Sequence, residues 1–394
     1  MISPYVRRLR LAAEVRTLRA EAGLTADQLG KRIGRSRADI SRLENGHVVD
    51  QADIIAILDA VGVDGDRWTQ IVTIAREAGE RGWWESNKTM GERQALYANL
   101  EAGAATICEY QQTFVPGLLQ TPEFVRARVD TEVTLKPASP NADGVLAGRT
   151  GRQRMLRRPG GPTYEVIIDE VAISRLAAPP EVVKKQLYYL ATAVNGEPKV
   201  TVRVLPVHAW IADYAVPRCT FSTYTYPDPG DPAVVAVDTE VTLKPGSPNA
   251  DGVLAGRTGR QRMLRRPGGP TYEVIIDEVA ISRLAAPPEV VKKQLYYLAT
   301  TVNGEPKVTV RVLPVHARIA DYAVPRCTFS TYTYPDPGDP GVVAVDTVTS
   351  DLILTEAADV QSYEQLYQRL RDAALPPGES LDLLTKVAAD LPDE

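Results

Sequence analysis

Residues 24–46 read LTADQLGKRIGRSRADISRLENG, and this stretch predicts two short helices joined by a tight turn. Thr25 and Gln28 form a capping box, in which the hydroxyl accepts a backbone N–H and the amide reaches back to the cap residue. Ser36 and Asp39 repeat the arrangement before the second helix. Two capped helices with a glycine in the connection are typical of a helix-turn-helix.

This arrangement assigns roles to the polar residues. In a helix-turn-helix the second helix enters the major groove of DNA, and residues near its start contact base edges. The predicted base-contacting residues are Arg37, Ala38, Ser41 and Arg42, opposite the apolar Ile40 and Leu43. Arg37 can donate two hydrogen bonds to guanine. The predicted phosphate-contacting residues are Lys31, Arg32 and Arg35. An ordinary helical hairpin with a solvated basic face is the alternative interpretation.

Charge follows the same division of the chain. The net charge of the 394 residues is −5, so the whole protein is not a general binder of polyanions. Residues 1–42, however, carry ten Lys or Arg against four Asp or Glu, whereas residues 43–80 carry two against eight. The basic excess therefore coincides with the predicted DNA-reading stretch.

Helical periodicity on both sides completes an all-α domain of five helices over residues 1–80. A first helix begins at Ser3-Pro4 and ends at Gly23, and two more follow the central pair, at residues 51–61 and 64–78. The Gly34 turn, the apolar spacing and the closing Leu43-Glu44-Asn45-Gly46 resemble the lambda-repressor-like (XRE) helix-turn-helix family. Two departures from that family are Ala26, where many members carry a DNA-contacting Gln, and Gly30, where Ala is usual.

The remainder of the chain predicts an α+β domain. Residues 81–108 form a hinge and a connecting helix, and the Trp83-Trp84 pair is expected to pack between the two domains. Strands are predicted at 163–168, 200–205 and 219–226, with a helix at 181–194.

One long repeat interrupts this domain. Residues 129–239 recur at 237–347 with four differences, which indicates a tandem duplication of part of one domain rather than a solenoid. The differing pairs are Ala138 and Gly246, Ala193 and Thr301, Trp210 and Arg318, and Ala233 and Gly341. The predicted units are the first copy at 109–236, the second copy at 237–347, and a closing strand with C-terminal helices at 348–394.

The segment 109–124 and the closing residues occur only once. Only one copy is therefore expected to complete a whole domain, and the other must fold as a fragment, pair with it or exchange elements with it. Motifs in this region resemble the domain of unknown function that follows the helix-turn-helix in many actinobacterial regulators. They are Glu109-Tyr110, the run 115–121, Arg152-Gln153 and Asp169-Glu170. The resemblance implies a small acidic protein as a possible partner.

Residues that carry chemistry are sparse. Three widely spaced cysteines and three histidines give no disulfide framework and no metal site, and no nucleotide-binding or nucleophile motif is present. Asp169-Glu170 is read as a helix N-cap rather than an acid–base pair, and the arginines between 149 and 158 as a solvated helix face. We therefore expect no enzymatic activity, no cofactor and no metal.

No signal peptide and no long apolar run are apparent, so a cytoplasmic protein without a membrane span is expected. The favoured function is a homodimeric transcriptional regulator that binds a double-stranded DNA operator and senses a partner protein or small ligand. The alternative is an effector or toxin-antitoxin-like protein in which the helix-turn-helix serves targeting or autoregulation. A duplicated, partly degenerate relic is the third interpretation.

Overall fold

The computed structural model describes residues 2–47, 50–86, 92–135, 142–193, 197–212, 220–237, 262, 270–325, 327–334, 341–346 and 351–392. Some sequence predictions fall elsewhere. Cys219, at the start of a predicted strand, lies outside the described residues, as do the repeat junctions at 238–239 and 347. Four arginines of the second copy, which correspond to those between 149 and 158, also lie outside the described residues. They are Arg257, Arg260, Arg265 and Arg266.

Five helices form the N-terminal domain, as predicted. They are α1 (Pro4–Glu21), α2 (Ala26–Ile33), α3 (Arg37–Glu44), α4 (Gln51–Val61) and α5 (Gly65–Ala78). Both capping boxes are present, with Thr25 and Gln28 at the start of α2 and Ser36 and Asp39 at the start of α3. Gly34 takes a φ of +70° where α2 ends, which a residue with a side chain adopts only with strain.

The core of this domain is built from the apolar faces of all five helices. Its fully enclosed members include Val15 on α1, Leu29 on α2, Ile40 on α3, Ile57 on α4 and Ile71 on α5. Because α3 buries Ile40 and Leu43 on one side, its opposite side is left in solvent.

A five-stranded mixed sheet forms the centre of the second region. Its strands are β1 (Thr106–Gln111), β2 (Thr163–Asp169), β3 (Val200–Leu205), β4 (Phe221–Thr225) and β5 (Val234–Val237), in the spatial order β3-β2-β1-β4-β5. The strand pairs β1–β2 and β2–β3 are parallel, whereas β4 and β5 continue the sheet antiparallel. The single-copy strand β1 therefore holds the sheet together.

Helices accompany these strands. They are α6 (Trp83–Ser86), α7 (Glu92–Glu101), α8 (Pro122–Leu135), α9 (Ala142–Arg157), α10 (Glu170–Ser174) and α11 (Pro180–Ala193). Trp84 is buried against Ala98 and Met155, and the Trp83 indole N–H points at the Met155 sulfur at 3.4 Å. The tryptophan pair therefore anchors α6 on α7 and α9 within the second region, and the expectation that it packs between domains was wrong.

The second block repeats the same strands in a different association. They are β6 (Tyr272–Asp277), β7 (Val308–Leu313), β8 (Phe329–Tyr332), β9 (Val342–Asp346) and the single-copy β10 (Asp351–Leu354). The strands β6 and β7 form a parallel pair, and β10-β9-β8 form a separate antiparallel sheet. The second block has no counterpart of β1, so its β6 and β8 are not bridged as β2 and β4 are.

In the described part of this half, four helices accompany the strands. They are α12 (Glu278–Ser282), α13 (Pro288–Gly304), α14 (Ala357–Ala373) and α15 (Pro377–Asp390). The first block thus takes up the single-copy strand before it, and the second block takes up the single-copy strand and helix α15 after it. The expectation that one block completes a whole domain was wrong, because the two flanks are divided between the blocks.

The two blocks face each other across a pseudo-two-fold axis. Arg175 donates to the Asp277 carboxylate at 2.6 and 3.2 Å, and Arg283 donates to the Asp169 carboxylate at 2.5 and 3.3 Å. These pairs are related by the repeat offset of 108 residues. Each arginine also donates to a proline carbonyl of the opposite block at 2.9 Å. Such reciprocity is the signature of an isologous interface, here formed within one chain.

Candidate nucleic-acid interface

The predicted base-contacting residues all lie on the solvent face of α3. Arg37, Ala38, Ser41 and Arg42 are exposed, while Ile40 beside them is fully buried. The Ser36 hydroxyl accepts the Asp39 N–H at 3.2 Å, and the Asp39 carboxylate accepts the Ser36 N–H at 3.0 Å. The box fixes the first turn of α3, from which these side chains project.

Arg37 differs from its neighbours because the structure gives its side chain no hydrogen bond or ion pair within the described part of the chain. Arg42, one turn later, is paired with the Asp39 carboxylate. Hydrogen bonds from Ser36 and then from Arg42 lower the pKa of Asp39 to about 2, so this carboxylate is ionised throughout the physiological range. Arg37 is therefore the cation on α3 that can bind a base without first leaving a carboxylate.

The predicted phosphate-contacting residues are exposed but occupied. Lys31 pairs with Asp27 at 2.7 Å, and Arg35 pairs with Asp53 at 2.7 Å. The pKa of each cation is raised by its hydrogen bond to that carboxylate. Arg32 donates to the Ala60 carbonyl at 3.2 Å. These bonds lie at the surface, where ion pairs are worth about 0–1 kcal/mol, so a phosphate competes with them readily.

A partly buried ion pair, which sequence reasoning missed, orients α3. Glu44 at the end of α3 accepts from Arg19 of α1 at 2.5 and 3.1 Å, and Arg19 also donates to the Leu24 carbonyl at 2.9 Å. The raised pKa of Arg19 follows from its hydrogen bond to Glu44. Glu44 stands in the Leu-Glu-Asn-Gly signature, which was the available signal for its importance.

Gly30 lies where the two helices of the motif cross. A Cβ at this position would sit 2.6 Å from the Arg35 carbonyl oxygen and 3.3 Å from the Ser36 carbonyl carbon. The glycine therefore permits the close approach of the turn to α2, and the departure from the usual alanine has a steric cause.

The second region holds a buried polar cluster. Arg152 on α9 forms hydrogen bonds to Glu101 on α7 at 2.5, 2.9 and 3.1 Å, and both side chains are buried. Burial alone lowers the pKa of a guanidinium, but the field and hydrogen bonds of Glu101 outweigh it and raise the pKa of Arg152. The interpretation of this arginine as part of a solvated face was wrong, although Arg154 and Arg157 on the same helix are exposed.

Glu109 on β1 belongs to the same cluster. Its carboxylate accepts the Tyr164 hydroxyl at 2.5 Å and is also bonded by Gln111. Burial raises the pKa of Glu109, and these hydrogen bonds oppose the effect only in part. The polar groups of the cluster therefore satisfy one another. The cavity resolved nearby, lined by Leu119, Leu156 and Tyr189, holds about 10 Å³.

Asp169 caps a helix, as predicted, and has further partners. Its carboxylate accepts the Val171 N–H at 3.3 Å at the start of α10. It also accepts the Tyr110 hydroxyl at 2.9 Å and the Arg283 guanidinium of the second block. Glu170 accepts the Val207 N–H at 2.8 Å. Asp169 therefore links the two blocks, whereas Glu170 holds the turn after β3 within the first block.

Comparison with known families bears on both regions. The family described as a helix-turn-helix domain matches residues 10–68. The family described as "Domain of unknown function (DUF5753)" matches residues 94–244 and again residues 241–386, which together cover more than half of the chain. The chain belongs to the DUF5753 family. No curated protein and no solved structure matches the chain.

The two DUF5753 matches divide the chain as the fold does. The first includes the strand β1 that precedes the first block, and the second includes helix α14 and most of α15, which follow the second block. Among the described residues, no helix is long and apolar enough to cross a membrane, and no group of His, Cys, Asp and Glu is arranged to hold a metal ion.

Proposed function

We propose that this protein is a sequence-specific regulator of transcription that binds double-stranded operator DNA through α3. The observation that carries the proposal is the exposed, uncommitted Arg37 at the start of a helix whose opposite side is buried. Ala38, Ser41 and Arg42 share its face, and Lys31, Arg32 and Arg35 flank it. This arrangement supports base readout from the centre and phosphate contacts from the rim.

Helix α1 provides a route by which the DUF5753 region affects DNA binding. Arg7 and Arg10 on α1 are buried and donate to Asp228 and Asp231 in the β4–β5 connection at 2.7–3.4 Å. Hydrogen bonds from the Gly230 N–H and then from Arg7 lower the pKa of Asp228. A partner that moves this connection also moves α1, against which α3 is held. We propose that the DUF5753 region senses either a partner protein or a small ligand. The proposed partner is a small acidic protein.

We also propose that two chains occupy two half-sites, because each chain carries one recognition helix. Half-sites one helical turn apart, about 34 Å, match the reach of paired helix-turn-helix units. A third part of the proposal is that the protein has no enzymatic activity. It is supported by the side chains of Glu101, Glu109 and Arg152, which are bonded to other side chains within the buried cluster. The proposed compartment is the cytoplasm, where the operator of a bacterial regulator lies.

The test is selection of bound sequences from a random DNA pool by the full chain. We expect an enriched motif with two related half-sites. The matched control is Arg76→Ala, which removes an exposed arginine on α5 and should select the same motif. A pool that remains random after repeated selection would contradict the proposed function.

A further inference from the structure

Helix α15 covers one face of the second block. Its buried side chains Leu384 and Ala388 contact Leu295 on α13 and both Val310 and Val312 on β7. All five are buried, and Val312 has no exposed surface. The segment that carries α15 thus seals the outer side of the two-stranded sheet.

Polar contacts fix the same segment to the edge of β7. The Leu375 N–H donates to the Val312 carbonyl at 2.9 Å, and the Val312 N–H donates to the Ser380 hydroxyl at 2.9 Å. At the far end, the Lys292 ammonium donates to the Leu391 carbonyl at 3.1 Å. The edge strand is therefore closed by a hydrogen-bonded chain segment, as exposed edges in natural sheets usually are.

The first block carries the same face without that covering segment, although Leu187 and Val202 pack against the core of the first block. Val204 on β3 corresponds to Val312 by the repeat offset of 108 residues, and 46% of its surface is exposed. Leu187 and Val202, which correspond to the buried Leu295 and Val310, are only half-buried. The registers of β3 on β2 and β7 on β6 are equivalent, so the peptide groups of Val204 also point away from the sheet. Within the described chain no hydrogen bond closes this edge.

The first block lacks the covering segment because of the duplication. The chain has two copies of the face and one copy of the segment that covers it. None of the four sequence differences between the repeats falls on Leu187, Val202, Val204 or Lys184, the counterpart of Lys292. The covering segment on the second block therefore shows what kind of helix fits this face of the first block.

We propose that the open face of the first block, formed by Leu187, Val202 and Val204, binds an amphipathic helix of a partner protein. The covering segment defines the chemistry of that helix. A small hydroxyl residue, a leucine and an alanine recur at four-residue intervals, as Ser380, Leu384 and Ala388 do. A backbone carbonyl at the end of the bound helix accepts a hydrogen bond from Lys184.

This inference deepens the proposed sensing of a partner and rests on that part of the proposed function. The probe is a fluorescent peptide with the sequence of residues 374–391, titrated with the full chain and followed by anisotropy. We expect saturable binding of one peptide per chain. Val204→Asp should weaken that binding at least about tenfold, because it places a charge at an apolar contact. Val204 is exposed, so the variant should keep its thermal unfolding temperature.

The twin position is the matched control. Val312→Asp should displace the chain's own helix and lower the unfolding temperature, and the displaced helix should then compete with the peptide for the first block. A Leu384→Asp peptide should not bind. Absence of peptide binding, or binding that Val204→Asp does not weaken, would overturn the proposal. Self-association of the chain that the peptide competes away would also overturn it, since the occupant would then be a second copy. DNA binding measured without peptide reports separately on the proposed function.

Discussion

At the crossing of α2 and α3, Gly30 illustrates how a steric contact overrides helix propensity. Alanine favours a helix interior over glycine by about 1 kcal/mol, yet its Cβ would meet the Arg35 carbonyl at 2.6 Å. We expect Gly30→Ala to lower the thermal unfolding temperature and weaken DNA binding, because the turn must shift away from α2. The matched control is Gly378→Ala, at a helical glycine with open space around it. It should leave the unfolding temperature unchanged or slightly higher, and a stabilised Gly30→Ala variant would refute the steric account.

Two glutamates of the buried cluster should respond in opposite ways to loss of charge. Glu101→Gln leaves the buried Arg152 without its counter-charge, which should cost about 3–5 kcal/mol of unfolding free energy. Glu109→Gln should stabilise the protein at pH 7, since burial raises the pKa of this carboxyl in the folded state.

The sign of the pH effect follows from that shift. A carboxyl with a raised folded pKa contributes stability below its unfolded pKa of about 4.3, and the contribution is lost as pH rises through the folded pKa. The advantage of Glu109→Gln over the parent should therefore be larger at pH 7 than at pH 4.5, as measured by denaturant unfolding. An advantage that grows on acidification would show that the carboxylate is stabilised by folding.

Residue-level prediction from sequence was strongest where the determinants are local. Thr25, Gln28, Ser36 and Asp39 were identified because a capping box spans four residues. The burial of Arg152 was missed because its partner Glu101 lies 51 residues earlier, and its spacing on α9 resembles that of a solvated face.

Among the helices, α1 contributes side chains to the cores of both regions of the chain. Leu11, Val15 and Leu18 lie in the core of the helix-turn-helix domain, whereas Val6 lies in the core of the second region. Ser3 also donates to the Asn99 side chain of α7 at 3.0 Å. The predicted boundary at residue 80 therefore divides these contacts, which join residues about 96 positions apart and leave no local sequence pattern.

A fragment of residues 1–80 tests this shared role. We expect it to fold, since the core of α1–α5 is internal to it, but to unfold at a lower temperature than the same domain in the full chain. The fragment should bind a palindromic DNA site weakly, because one module covers one half-site. Circular dichroism and titration with the selected DNA provide the two measurements. A fragment as stable as the domain in the full chain would show that the contacts of Val6, Arg7 and Arg10 contribute nothing.

At the scale of the whole molecule, the duplication was readable from the sequence but its consequence was not. The repeat offset relates Arg175 to Arg283 and Asp169 to Asp277, yet nothing local to either block shows that they bind one another. The division of the flanks between the blocks also required the structure, because it depends on which copy of β2 pairs with β1.

Deletion of residues 238–345 should restore a single complete block. The junction joins Val237 to Asp346 and regenerates the Val-Asp-Thr sequence. The covering segment can then dock on the face of Val204. We expect the deletion protein to fold, to be at least as stable as the full chain and to bind DNA. Its Asp169 and Arg175 would pair with those of a second chain, so it should be a dimer.

Thermal unfolding and sedimentation of both proteins measure these outcomes. Arg175→Ala in the deletion protein serves as the control, and it should yield monomers. Aggregation of the deletion protein, or an unfolding temperature well below that of the full chain, would mean that the second block has become necessary to the fold.

Helix α3 is proposed to read bases through Arg37 while its neighbours position the protein on phosphates. The most direct measurement compares Arg37→Ala with Arg35→Ala on the selected operator and on its single-base variants, over a range of salt concentrations. Arg37→Ala should remove about 1–3 kcal/mol of discrimination at one base pair. Arg35→Ala should weaken binding to all sequences alike and reduce the salt slope by about 0.9. If both substitutions weaken binding evenly across sequences, α3 does not read bases through Arg37, and the account is wrong.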